Sequence, residues 1–113
     1  MDIEIRKYLS DIEVAISSID IHLQHKRDFN LYQSNITIKR AVEREIEIIG
    51  EATNRILKLM PNINISFGKA IVDMHNRVIH GYDSVDDFLV WKIVVKDIPV
   101  LKEEVRLLVS KNE

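Results

Sequence analysis

Isoleucine or leucine returns at every third or fourth position near the start of the chain: Ile5, Leu9, Ile12, Ile16, Ile19 and Leu23. Steps of three and four keep all six side chains on one face of an α-helix, whereas a strand would divide them between two faces. A helix with one apolar stripe must bury it against another element, so the stripe fixes more than local structure. In 113 residues there are only 3 glycines and 2 prolines, which leaves few turns and long uninterrupted elements. That is the composition of a helical protein and not of a fold with many short strands.

The same periodicity predicts three more helices. The first helix covers about residues 3–23, and HKRDFNLYQS after it breaks the pattern and reads as a loop, with room for a partly ordered turn. A second helix over about 34–60 carries Ile38, Ala41, Val42, Ile48, Ile49, Ala52, Ile56 and Leu59 on its apolar side. Pro61 stops it, because the residue before a proline is pushed out of the α region. Gly50 inside this helix costs about 1 kcal/mol relative to Ala, which close packing against a neighbouring helix would justify. A third helix over about 66–81 turns Phe67, Ala70, Ile71, Met74 and Val78 inward, with Gly81 suited to a C-terminal cap. Ser84 with Asp87 three residues on resembles the start of a fourth helix. Its inward side would hold Phe88, Trp91, Val94 or Val95, Ile98, Leu101, Val105 and Leu108, and Pro99 should kink it. WKIVVKDIPVL could locally be a strand, but the helical period on both sides of it outweighs that reading. Short connections between long helices make neighbours antiparallel, so the expected fold is an all-α, antiparallel four-helix bundle in a single domain over 1–113.

Composition excludes several function classes. The chain is 46% hydrophobic and 30% charged, enough apolar content for a core and too much for disorder. With no cysteine there is no disulfide framework, thiolate metal site or cysteine nucleophile. MDIEIRKYLSDIE is charged every few residues and lacks the apolar centre of a secretory signal. No run approaches the roughly 18 apolar residues of a membrane span, so the expected location is the cytoplasm. The net charge of −2 is not that of an avid nucleic-acid binder. Any RNA contact would need a local basic patch, such as Lys39, Arg40 and Arg44, or one completed by a second subunit.

Polar chemistry concentrates in DMHNRVIHGYD, residues 73–83. At about 100° per residue, Asn76 and His80 share one helix face, Asp73 continues it and Arg77 lies close to it. His75 lies about 140° round from His80. Metal-free RNA cleavage needs a base for the 2′-hydroxyl, an acid for the leaving oxygen and donors for the charge on phosphorus. A histidine, an amide and a guanidinium can supply these parts. Tyr82 follows Gly81 and would stand at the helix end, near His80. By spacing alone, a polar stripe with one histidine is more often a solvated surface. His22 and His25 lack a third ligand at convincing spacing, so no metal site is expected. Tyr8, Tyr32 and Trp91 read as packing residues rather than base-stacking platforms.

Two stretches resemble a known family. AVEREIEIIGEATNRI, residues 41–56, looks like the second-helix signature of HepT toxins of the HEPN superfamily. MHNRVIHGYDSVDDFLVWKIVVKDIPVLKEEV, residues 74–105, is similar to that family's active-site helix and its successor. The resemblance implies a metal-independent, cofactor-free ribonuclease that dimerises so that two active-site helices face one cleft. It implies a partner, a small nucleotidyltransferase antitoxin of the MNT type, that adenylylates the motif tyrosine, and an RNA substrate such as tRNA. The motif asparagine matches Asn76, the histidine His80 and the tyrosine Tyr82. The family pattern, Arg-x4-His-x-Tyr, has arginine where this chain has His75, and the nearest arginine here is Arg77. Arginine is always charged and grips a phosphate with two parallel bonds, which histidine cannot do. Three readings follow: Arg77 takes over the charge, His75 acts as a second imidazole across the dimer cleft, or the nuclease is weak or lost.

Overall fold

The computed structural model describes residues 2–66 and 87–111, and every regular element among them is helical. Helix α1 runs Ile3–His22 and is capped by Asp2, whose carboxylate accepts from the Glu4 amide at 2.9 Å. At its far end Gln24 and His25 both take φ of 58°, the left-handed region. Their amides donate back to the Ile21 and Asp20 carbonyls at 3.0 and 2.8 Å, a capping geometry that glycine more often supplies.

Helix α2, Phe29–Ser34, lies where the sequence reads as a loop. Six residues are too few to display a period. What holds them is the Asp28 carboxylate, which accepts from the Asn30 and Leu31 amides at 3.0 and 3.2 Å, and the complete burial of Tyr32. Helix α3 runs Ile36–Leu59, its first turn capped by Asn35, whose side chain accepts from the Ile38 amide at 3.1 Å. It ends at Met60, the residue before Pro61, as the sequence requires.

The last helical stretch comprises α4 (Asp87–Lys92), a π-helical turn (Ile93–Asp97) and α5 (Ile98–Lys111). In the π turn the Ile98 amide donates to the Ile93 carbonyl, five residues back. Pro99 explains the position. It has no amide hydrogen, and its ring would press on the carbonyl of Val95 in a regular α-turn. The wider turn just upstream absorbs the misfit that a kink was expected to absorb, and Ile93, Val94 and Ile98 stay buried. The local strand alternative for this segment is overturned by the same helical backbone.

Directions follow from cross-contacts. Tyr8 on α1 sits beside Arg55, and His22 beside Glu45, so α1 and α3 are antiparallel. Lys39 meets Asp87, and Ser66 meets Glu104, so α4–α5 runs parallel to α3. This is the relation of alternate helices in an up-and-down bundle. The third expected helix, over 66–81, falls almost wholly outside the described residues.

The core gathers the α1 stripe of Ile5, Leu9, Ile12, Ile16 and Ile19 with Val42, Ile46, Ile49 and Ile56 of α3. Val94, Ile98, Leu101 and Val105 close it from the other side. Gly50 is buried, in keeping with close helix approach. Two residues assigned inward from the sequence face out: Leu59 is 46% exposed at the fraying end of α3, and Phe88 is 66% exposed.

Leu9 is fully buried between helices. Leu9→Ala should therefore cost about 2–5 kcal/mol. Asn35→Ala, which removes only a cap, should cost about 1 kcal/mol. Urea titration followed by circular dichroism should show both losses as lower midpoints, with the slope unchanged.

Candidate functional site

Asp73, His75, Asn76, Arg77, His80 and Tyr82 lie outside the described residues, as do Gly81 and Ser84. The structure instead shows what holds the chain on either side of them. Ser66, the last described residue before the motif, donates its amide and its hydroxyl to Glu104 Oε2 of α5 at 3.0 and 2.5 Å. Asp87, five residues after Tyr82 in sequence, accepts from Lys39 Nζ of α3 at 2.9 Å. The Lys39 and Asp87 side chains are 22% and 20% exposed, so water screens this pair only partly. The segment carrying the motif thus leaves from one anchored residue and returns to another.

A half-buried polar group surrounds the second anchor. Glu43 follows Lys39 by one turn of α3. Burial pushes its carboxyl pKa upward and the nearby Asp87 adds to this, while Arg40 and Lys39 oppose it. The Tyr32 phenol is also pushed up, first by burial and then by Glu43 and Asp87. Its hydroxyl is buried and finds no hydrogen-bond partner among the described residues. Two carboxylates, Asp87 and Glu43, therefore lie close to Lys39, a placement that could not be read from a sequence separation of 48 between Lys39 and Asp87.

The expected basic patch is accordingly divided. Lys39 is committed to Asp87, Arg44 approaches Glu47 at 3.3 Å, and Arg40 is exposed beside Glu43. A groove of about 510 Å³ between α1 and α3 contains Lys7, Arg44 and Arg55 but also Asp11, Glu47 and Glu51. Its opposite charges are matched in number, which makes it a poor track for phosphates. Tyr8 packs there under Lys7, whose Nζ is 5.5 Å from the ring centre. His22 Nε2 is 2.8 Å from Glu45 Oε2, an inter-helix bond that accounts for it without a metal. Among the described residues no cluster of three or more metal-ligating side chains occurs. No helix among them is long and apolar enough to cross a membrane.

Tyr32 and Trp91 do pack. Their ring centres are 5.5 Å apart, and Phe29 lies 5.7 Å from Trp91 with the rings edge to face. Phe29 also stacks on Phe88, at 5.0 Å and 25°. This cluster seats α2 against α4, next to the Lys39–Asp87 anchor. Sequence reading passed over α2 as a loop and so missed it.

Comparison with known proteins gives one consistent answer. A family model described as "Ribonuclease HepT-like" matches residues 5–108. The "Putative RNase MJ1380" of Methanocaldococcus jannaschii is 34% identical over 108 residues, 92% of this chain and 95% of that protein. The "Probable ribonuclease HepT" of Thermococcus cleftensis is 35% identical over 101 residues, covering 86% of this chain and 88% of that protein. No solved structure gives a significant match.

The anchor yields a test of stability and of pH. Lys39→Ala leaves the Asp87 and Glu43 carboxylates without their shared cation and should cost about 1–3 kcal/mol. Lys39→Arg should keep most of it. Because the Glu43 pKa is raised in the folded state, its unfavourable effect grows as pH rises from below the ordinary carboxylate range toward neutrality. Glu43→Gln should thus be more stable than wild type at pH 7 and lose that advantage by about pH 4. A stability difference that does not change with pH would contradict the assignment.

Proposed function

Because this chain belongs to the HepT-like ribonuclease family of the HEPN superfamily, we propose that it is a metal-independent endoribonuclease. The observation that carries the reading is the extent of the match. It runs through residues 5–108 and so includes the whole 73–83 motif and both of its anchors.

In this reading His80 takes the proton of a ribose 2′-hydroxyl. The 2′-oxygen attacks the adjacent phosphorus and the 5′-oxygen leaves with a proton returned by an imidazolium. The products are a 2′,3′-cyclic phosphate and a 5′-hydroxyl. Asn76 orients the imidazole or the phosphate. Arg77 supplies the fixed positive charge, and the site is shared between the two subunits of a homodimer; the alternative, His75 as a second acid–base group from the facing subunit, would instead remove one limb of the pH–rate profile on its loss. An isologous dimer suits a chain that carries half a site on one helix. RNA such as tRNA is the proposed substrate, in the cytoplasm.

The biological role we infer is that of a toxin held in check by an MNT-type nucleotidyltransferase. The Tyr82 hydroxyl would attack the α-phosphorus of a nucleoside triphosphate, with pyrophosphate leaving. The AMP so attached adds negative charge and bulk two residues from His80, which would repel and block an RNA backbone. A second reading, a HEPN subunit that binds its nucleotidyltransferase or RNA without cleaving, is favoured by one observation: His75 stands where the family motif has arginine.

Purified protein incubated with total tRNA in the presence of a chelator should cleave it, and His80→Ala should abolish cleavage with helicity intact. Arg77→Ala should cost activity severely and His75→Ala mildly, while His75→Arg should raise it. Wild type that leaves every RNA whole would favour the binding-only reading. On co-expression with a cognate nucleotidyltransferase, intact mass should increase by one or more AMP groups, and Tyr82→Phe should remove the increase. An inhibited complex with unmodified Tyr82 would replace modification by steric capping.

A further inference from the structure

Helix α1 has a second stripe. Ile3, Lys7, Ser10, Val14, Ser17 and Ile21 follow one another at alternating steps of four and three, and all six are exposed. This line lies about 160° round the helix from the stripe that α1 buries in the core. Its three aliphatic side chains are left largely in water: Ile3 is 84% exposed, Val14 63% and Ile21 63%. A single exposed aliphatic needs no explanation, but three on one line of one helix do. The alternating steps average 3.5 residues, the period of a seam between two helices. On one flank of the line, Lys7 and Asp11 line the groove shared with α3. On the other, Glu13 and Ser17 line a smaller cavity of about 260 Å³ with Pro99, Lys102 and Arg106 of α5.

The line is complementary to a reversed copy of itself. Run antiparallel, two such helices set Ile3 against Ile21 of the second copy, Lys7 against Ser17, and Ser10 against Val14. The same pairs then repeat in reverse. Aliphatic ends coincide, and each serine lies opposite a larger side chain. A parallel pair would instead set Lys7 against Lys7 of the second copy. The charges beside the seam favour the same direction. Arg6 and Lys7 stand toward one end and Glu13 and Asp20 further along, so reversal brings Arg6 to Asp20 of the second copy. Asp20 already accepts from Arg27, and its side chain is 29% exposed; a carboxylate takes more than one such bond. Glu13 meets its own counterpart at the middle, where Lys102 on the wall of the same cavity offers the opposite charge. Antiparallel helix dipoles add a small attraction.

We propose that the face of α1 bearing Ile3, Val14 and Ile21 is a self-association surface, on which a second copy docks as an antiparallel helix pair. The contact is isologous, so it closes on two copies. One helix pair is a small interface, which makes the association reversible. The surface is carried by α1 alone and needs neither cleavage nor an antitoxin.

The chain has no cysteine, so introduced ones report the register cleanly. Ile3→Cys and Ile21→Cys chains, mixed and treated with a short bis-maleimide, should give a covalent dimer containing one of each. Either variant alone should give almost none, because like positions lie about 27 Å apart across the two-fold axis at a rise of about 1.5 Å per residue. Val14→Glu puts a carboxylate into the seam and should weaken association at least about tenfold in sedimentation equilibrium. Its helicity and urea midpoint should stay close to wild type, since Val14 is exposed in the single chain. Lys7→Ile should tighten association, as an apolar residue replaces the charged one in the seam. A mixture that does not cross-link overturns the proposal. So does cross-linking of each variant alone as fast as in the mixture, or a Val14→Glu protein that associates as wild type does. Cleavage of tRNA, measured separately, keeps the readings apart. An inactive wild type that cross-links in the mixture loses the nuclease and keeps the seam; an active one that does not cross-link loses the seam alone.

Discussion

Burial of the α1 stripe against α3 is the interaction on which the other elements depend. Both helices are long, and each places its β-branched and leucine side chains on one side. Neither would hold its shape for long in water alone, since an isolated helix is marginal without a surface to pack on. Once they lie antiparallel, Val94, Ile98, Leu101 and Val105 have a trough to fill, and α4–α5 takes its place. The π turn then becomes intelligible. Pro99 could have broken the helix, but the chain instead keeps Ile93, Val94 and Ile98 on the core by widening one turn.

Upon that core, two polar clamps determine where the motif-bearing segment begins and ends. Ser66 is tied to Glu104, and Asp87 to Lys39. They differ in character. Ser66 donates two hydrogen bonds to one carboxylate oxygen at an exposed site, while the Lys39–Asp87 pair is largely shielded and shares its cation with Glu43. Burial, reinforced by Asp87, pushes the Glu43 carboxyl upward, so this half-buried cluster carries a local cost at neutral pH. Structures tolerate such local cost where geometry matters more than stability, and sites with perturbed titration are common beside functional centres. Next to this clamp, the Phe29–Tyr32–Phe88–Trp91 cluster packs α2 against α4.

Long amphipathic elements were legible in the sequence, and short or cross-chain features were not. The ends of α1 and α3 fell within two residues of where the apolar period and Pro61 put them. Helix α2 escaped because six residues contain less than two turns, and periodicity needs more. Phe88 was assigned to the core because the helical period continues through it, yet it faces water and stacks on Phe29, a partner 59 residues earlier. The motif was readable as chemistry because histidine, asparagine, arginine and tyrosine at helical spacing are an uncommon set. Their family likeness, and not the spacing, gave them roles.

Sequence alone determined that this chain is helical, that its apolar stripes must meet, and that His80, Asn76, Arg77, His75 and Tyr82 are the residues to ask about. The reason is that periodicity and residue chemistry are local properties, written within a turn or two. Tertiary structure decided which of several lysines and arginines is bound to a carboxylate, which carboxyl is forced upward by burial, and which aromatic rings pack together. Those outcomes depend on distances between residues tens of positions apart and on how far each is withdrawn from solvent. Lys39 and Lys92 are the same side chain in the same kind of helix; only packing makes one a half-buried anchor for Asp87 and leaves the other exposed.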